Sequence, residues 1–294
     1  MSHAAVRTAA RRGLLPALAG VVIFSFTGPM TKIVMRDSSV LFAAAGRAVL
    51  AGSVAAVILV VRRVPAPTGL ARRQILVAAP FVFAFPLLFA SAFLTVPSTH
   101  GAVVIALLPL ATAGGAAIVG GERPSATYWA CSAVGLAAVA AFVASEGGAH
   151  VEIGDMLLVL AVLAAAIGYT YGGLASATIP GWQVISWIVV WSLPVMVPLT
   201  LVGLLGAGMP DTSGQWWAFV YSGLGSNLIG FFVWYRGLAT AGIARAGQVQ
   251  LVQPMLSLLW AWPLVGEPVT GVAIGAAVVV VAAVVLGRRA AIAR

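Results

Sequence analysis

The chain reads as a succession of long apolar runs broken by short clusters of Pro, Gly and charge. About 20 consecutive apolar residues let a helix cross a bilayer core. On that measure the runs predict membrane helices near 14–34, 40–61, 75–95, 99–119, 126–145, 154–173, 182–205, 215–236, 243–264 and 269–287. The third and fourth are the least clearly divided, because only Pro97-Ser98-Thr99-His100 lies between them; fusing them gives nine spans. No long polar stretch remains for a separate soluble domain. Arg7, Arg11 and Arg12 precede the first run in the manner of a signal peptide. That run is long, holds Pro29 and shows no clear small-residue cleavage site, so it reads as an uncleaved first helix.

Charge supports ten spans over nine. With the N-terminus in the cytoplasm and ten crossings, 13 of the 16 bases fall on the cytoplasmic side: Arg7, Arg11, Arg12, Arg62, Arg63, Arg72, Arg73, Arg123, Arg236, Arg245, Arg288, Arg289 and Arg294. Lys32 and Arg36 fall outside, and Arg47 lies within the second span. Of the 7 acids, only Glu122 stays inside; Asp37, Glu146, Glu152, Asp155, Asp211 and Glu267 go out. Excess Lys and Arg in cytoplasmic loops is the usual topological signal, and the acids are a secondary agreement. Nine spans would scatter the later charges. Both termini are therefore expected in the cytoplasm, at the inner (cell) membrane.

Composition agrees. The 294 residues are 62% hydrophobic and 8% charged, whereas a soluble domain carries about 25% charged residues. The net charge of +9 does not indicate nucleic acid, because the bases sit at the ends of apolar runs without interleaved aromatics. Cys131, the single cysteine, supports neither a disulfide framework nor a thiolate metal site.

Residues 97–125 lie on 242–270 at a constant offset of 145. Pro109 falls on Pro254, and Gly121-Glu122-Arg123-Pro124-Ser125 falls on Gly266-Glu267-Pro268-Val269-Thr270. Each copy is an apolar helix with an internal proline, then a Gly-Glu turn, then Ser or Thr. Similar turns also recur by chance in helical membrane proteins, but the shared offset argues for a repeat. The division predicted is 1–146 and 147–294, two five-helix repeats within one transmembrane domain. Five is odd, so the second copy is expected upside down, and a substrate site is expected near the midplane between the halves. The fold expected is an all-α membrane protein of ten helices, two inverted repeats around a central cavity.

Three stretches carry a family resemblance: Gly46-Arg47-Ala48-Val49-Leu50; Leu108-Pro109-Leu110 with the Gly-Glu turn at 121–122; and Phe232-Val233-Trp234-Tyr235-Arg236-Gly237-Leu238-Ala239 running on to Gln253-Pro254 and Gly266-Glu267. Gly154-Asp155-Met156-Leu157 adds the start of a second repeat. With these the chain, over about 10–290, resembles the drug/metabolite transporter superfamily, specifically its ten-helix exporters with two tandem repeats. The resemblance implies a central cavity and export of metabolites, amino acids or drugs, and leans towards amino-acid exporters, including those for aromatic amino acids. Small four-helix relatives use a glutamate inside the first helix. Residues 14–34 contain no carboxylate, so that mechanism does not carry over.

Candidate site residues follow from polar groups inside apolar runs. Arg47 lies about two turns into its span, where a cation needs partners. It either grips a substrate carboxylate or bonds helix-end carbonyls. Lys32 is expected to snorkel outward. Gln183, Trp187 and Trp191 share one helix face, on which the tryptophans either stack on substrate or pack against helices and lipid. Asn227 joins helices or faces the cavity. Gln250 and Gln253 share a face just before Pro254, which deprives the Gln250 carbonyl of its helix bond. Tyr169, with Tyr171, is a further candidate. Pro80, Pro86 and Pro194 are expected to bend their helices. Gly271 and Gly275 form a small-residue pair for helix packing, within the chain or in a homodimer.

No Asp or Glu lies at mid-span; His100, at a helix end, is a further substrate-binding candidate and the side chain near a span whose type changes charge around neutral pH. Facilitated diffusion or exchange is therefore expected over obligatory proton antiport, with alternating access. An intramembrane enzyme needs a nucleophile with a base, paired acids or a metal cluster. His3, His100 and His150 lie apart, so neither catalysis nor a metal is expected, and no cofactor is implied. A channel is the third class, disfavoured by the repeat and the proline-broken helices. The partners expected are a small-molecule substrate and membrane lipids.

Overall fold

A computed structural model describes residues 3–119, 121, 123–146, 152–287 and 292–293. His150, Glu122 and the terminal Arg288, Arg289 and Arg294 lie outside the described residues. In hydrocarbon every backbone N–H and C=O must be satisfied within the protein, which leaves helices as the solution for apolar runs of this kind.

The first helix, α1, runs over His3–Ser25 and, after a turn at Phe26, Thr27–Val34. Helix α2 begins as a π-helical stretch, Phe42–Gly46, and continues as Arg47–Val61. Then come α3 (Gly69–Ala92), α4 (Ser98–Ile105 and Leu108–Ile118) and α5 (Ala126–Glu146). The second half holds α6 (Ile153–Ala175), α7 (Gly181–Ala207) and α8, which joins Ser213–Val220, a π-helical Tyr221–Gly230 and Phe231–Ala241. Helix α9 comprises Ile243–Gly247, a 3₁₀ stretch Gln248–Leu251 and Val252–Val265; α10 is Gly271–Gly287. Among the described residues, the departure from helix is a two-residue antiparallel pairing of Arg123–Pro124 with Ile292–Ala293.

Among the described residues, six stretches are long and apolar enough to cross a membrane: Gly13–Val34, Phe42–Val61, Gly69–Ala92, Ser98–Ile118, Ile153–Ala175 and Gly181–Gly206. The third and fourth apolar runs are separate helices, divided by turns at 93–95 and by Pro97.

Proline sets both breaks. Pro109 has no N–H for the Ile105 carbonyl, and α4 turns between Ile105 and Leu108. Pro254 likewise has no N–H to give the Gln250 carbonyl, and α9 tightens to 3₁₀ over Gln248–Leu251 just before it. Pro80 and Pro86 lie within α3, and Pro194 within α7, without interrupting either helix.

The main packing pairs are α3 with α6, α1 with α8, α5 with α10, and α2 with α7; α4 packs on α6 and α9. Small residues make the α1–α8 approach close. A Cβ on Gly237 would stand 2.8 Å from both the backbone N and the Cβ of Ala17. The largest fully buried side chains include Trp234, Tyr235, Phe89 and Met196. The outer surface carries exposed Val60, Ile118, Leu205 and Trp217. So much exposed apolar surface suits lipid rather than water.

Candidate functional site

Where the irregular parts of α1, α2 and α8 meet, they enclose a cavity. The turn at Phe26 brings Thr27 to the wall, where its hydroxyl lies 2.8 Å from that of Ser226 on α8. Ser226 and Asn227 belong to the π-helical stretch of α8, and Arg47 follows that of α2. Such irregular turns recur at functional sites because they re-aim side chains out of the regular ladder. Phe85 and Phe89 of α3, Tyr169 of α6, Phe24 and Phe231 form the aromatic wall. Phe85 and Phe89 stack with centroids 5.2 Å apart, and Phe24 meets Phe231 at 5.0 Å. Ser98, Ala102, Ile105 and Leu108 of α4, with Gln253 and Ser257 of α9, close the remaining side.

The cavity has a volume of only about 30 Å³. One water needs roughly 10–15 Å³ on that measure, so about two waters fit. The structure holds the cavity nearly closed.

Arg47 dominates its electrostatics. The residue is 2% exposed, and its Nη2 donates to Asn227 Oδ1 at 3.0 Å. Its Nε has no hydrogen-bond partner, and no described carboxylate lies within ion-pair distance. A neutral amide orients the guanidinium but leaves its charge uncompensated, and burying an unpaired ion costs several kcal/mol, on the order of magnitude seen in proteins. Gln253 Oε1, on the same cavity, has no partner either. Both polar atoms of the Gln250 amide are unpaired beside the Tyr169 hydroxyl, the two groups lying near each other without an aligned hydrogen bond. The site therefore offers a cation, an unpaired amide oxygen on Gln253 that can accept, and aromatic faces. A small molecule with a carboxylate, a second polar group and an apolar body matches all three.

Of the residues singled out from sequence, Arg47, Asn227, Tyr169 and Gln253 line this cavity. Gln250 is buried one step behind them. Trp187 and Trp191 meet at 5.7 Å along α7 with their rings tilted by 45°, half-buried against the core, and are not among the lining residues. Pro194 sits further along the same helix. Pro254 is buried next to Gln253. Gly271 and Gly275 meet nothing within 4 Å where a Cβ would stand, so neither serves packing among the described residues.

His100 lies elsewhere, in a cleft at one end of the bundle with Glu152 and Thr270. Its Nε2 is 2.6 Å from Asp155 Oδ1, and both side chains are buried. Asp155 also accepts from the Glu152 backbone N–H through Oδ2, capping α6. Nearby, Glu267 accepts from Ser98 N, Ser98 Oγ and Thr99 N at 3.0, 2.7 and 2.9 Å, capping α4 from the α9–α10 loop. Lys32 stands 4.0 Å from Glu267 and donates to the Phe93 carbonyl at 2.9 Å, so it is held in this cluster rather than reaching freely outward. Sequence reasoning used Glu267 as a mark of the repeat and missed this role. It also missed Phe85 and Phe89, although Phe81, Phe85, Phe89 and Phe93 recur at four-residue spacing, the mark of one helix face.

Apolar helices packed around a closed, polar and charged cavity define a multi-pass membrane transporter. A model of the EamA-like transporter family matches the chain twice, over residues 11–144 and 152–288. The chain belongs to that family, in the drug/metabolite transporter superfamily, and carries its two tandem repeats. It is similar to the uncharacterized transporter YdeK of Bacillus subtilis (strain 168): 38% identical over 285 residues, covering 94% of this chain and 97% of the relative. It also resembles a solved structure described only as the crystal structure of a protein, with 19% identity, a TM-score of 0.68, and coverage of 94% of this chain and 98% of that one. That likeness speaks to the fold alone.

Proposed function

We propose that the protein is a secondary exporter of amino acids with aromatic or other apolar side chains, working by alternating access at the inner membrane and catalysing no covalent reaction. The observation that carries this reading is Arg47, a buried guanidinium with no carboxylate partner facing a closed cavity. A substrate carboxylate supplies the missing counter-charge, the Gln253 amide oxygen accepts from the amino group, and Phe85, Phe89 and Tyr169 hold the side chain. The near absence of free volume fits a carrier that opens to one side at a time, not a standing pore.

Ten spans in two inverted halves, 1–146 and 147–294, with both termini cytoplasmic, complete the reading. The charge distribution supports it, and so does the packing. Replacing each helix by the one five places on exchanges the α1–α8 and α3–α6 pairs and maps α2–α7, α4–α9 and α5–α10 onto themselves. Both proline breaks fall at equivalent places, before Pro109 and Pro254. The test is counterflow: proteoliposomes preloaded with one amino acid should accumulate labelled amino acid with saturable kinetics. Flux linear in concentration to the solubility limit rules out the carrier.

Facilitated diffusion or exchange is the coupling proposed. One observation favours the runner-up, a proton-coupled antiporter: His100 and Asp155 form a buried imidazole–carboxylate pair at 2.6 Å between the two repeats. A strict requirement for a pH gradient, lost in His100→Gln, selects the runner-up; flux without a gradient selects diffusion or exchange.

A further inference from the structure

A second crevice, of about 690 Å³, opens between the C-terminal end of α2, the start of α7 and the last turns of α8. Arg62 and Arg236 line it, together with Ile58, Trp182, Phe232 and Val233. Both arginines are exposed, and neither has an acidic partner among the described residues. The Arg62 guanidinium lies over the Trp182 ring, 5.7 Å from its centroid, which holds that charge at the crevice.

The crevice is not a mouth of the central cavity. On α8, Trp234, Tyr235 and Leu238 face inward and are buried, whereas Arg236, Ala239 and Thr240 point out and are exposed. The lining comes from the outward face. It therefore faces what surrounds the protein. At this end the chain also places Arg63, Arg72 and Arg73, which set it at the cytoplasmic headgroup level in the topology proposed above. A cavity with paired guanidiniums at its polar rim, an apolar floor and an interfacial tryptophan matches a molecule with an anionic phosphodiester and an acyl chain. Basic pockets between membrane helices on the cytoplasmic side recognise such headgroups.

We propose that this crevice is a binding site for an anionic phospholipid. Arg62 and Arg236 clamp the phosphate, and Ile58, Phe232 and Val233 carry the first part of an acyl chain. The proposal does not depend on which substrate is exported.

The test uses the full-length protein in phosphatidylcholine vesicles. Phosphatidylglycerol or phosphatidylcholine with brominated acyl chains is added, and Trp182 fluorescence is taken as the difference between the protein and its Trp182→Phe variant. Brominated phosphatidylglycerol should quench at roughly 30-fold lower mole fraction than brominated phosphatidylcholine, as expected for two basic side chains near an anionic headgroup. Arg62→Gln with Arg236→Gln should abolish the preference, and Arg62→Lys with Arg236→Lys should keep it. Equal quenching by both lipids overturns the proposal, as does a preference that survives in the glutamine variant. Loss of the preference on adding inorganic phosphate also overturns it, because the ligand is then a free anion. If the glutamine variant fails to insert, the lipid comparison and the lysine variant still decide.

Discussion

Arg47 and Asn227 sit 180 residues apart in sequence and 3.0 Å apart in space. Each was marked in the sequence by its chemistry: a charge and an amide inside runs that should hold neither. That they form one site was not legible, because no local rule joins α2 to α8. The same limit applies to Trp187 and Trp191. Their spacing established a shared face, but whether that face meets cavity, helix or lipid is a tertiary fact, and the structure packs them on each other instead. Replacing Arg47 by Ala removes the one cation of the cavity. Losing one partner of a desolvated charge pair costs about 2–5 kcal/mol, so apparent substrate affinity should fall by roughly 30-fold or more. Arg47→Lys keeps the charge but not the planar fork and should fall between the two. Equilibrium binding of an amino acid to purified protein checks both. Asn227→Ala should cost less than Arg47→Ala, since it misaligns the guanidinium without removing it.

The six span-length helices among the described residues were readable from hydropathy because an apolar run of that length has one economical solution in lipid. Their irregularities were only half readable. Pro254 announced the break in α9, and Pro109 that in α4, whereas the π-helical stretches at Phe42–Gly46 and Tyr221–Gly230 have no comparable sequence mark. Packing between elements depends on glycine at close approaches. Gly237→Val should force α8 off Ala17 of α1 and cost about 1–3 kcal/mol, seen as a lower unfolding temperature in detergent. Gly275→Val, where nothing stands within 4 Å, should leave that temperature unchanged. Glu267 ties the α9–α10 loop to the start of α4, so Glu267→Ala should release that end. In a Cys131→Ser background, Thr99→Cys, buried in the intact structure, should then react with a polar maleimide about tenfold faster.

At the scale of the molecule, two tandem repeats are established by the family match, and the cavity lies where α1, α2, α3, α4, α6, α8 and α9 converge. Topology is tested by single cysteines in the Cys131→Ser background. In intact cells Asp211→Cys should react with a membrane-impermeant maleimide, and Ala66→Cys only after permeabilisation. The reverse pattern would invert the orientation read from the arginines.

The central claim is that the Arg47 cavity carries carboxylate-bearing substrates across the bilayer. Counterflow of labelled aromatic amino acid in proteoliposomes, with Arg47→Ala and Arg47→Lys alongside the unaltered protein, tests it most directly. Saturable, exchange-stimulated uptake is expected, nearly abolished in Arg47→Ala and partly retained in Arg47→Lys. Saturable uptake of equal rate in the unaltered protein and in a folded Arg47→Ala variant would contradict the account.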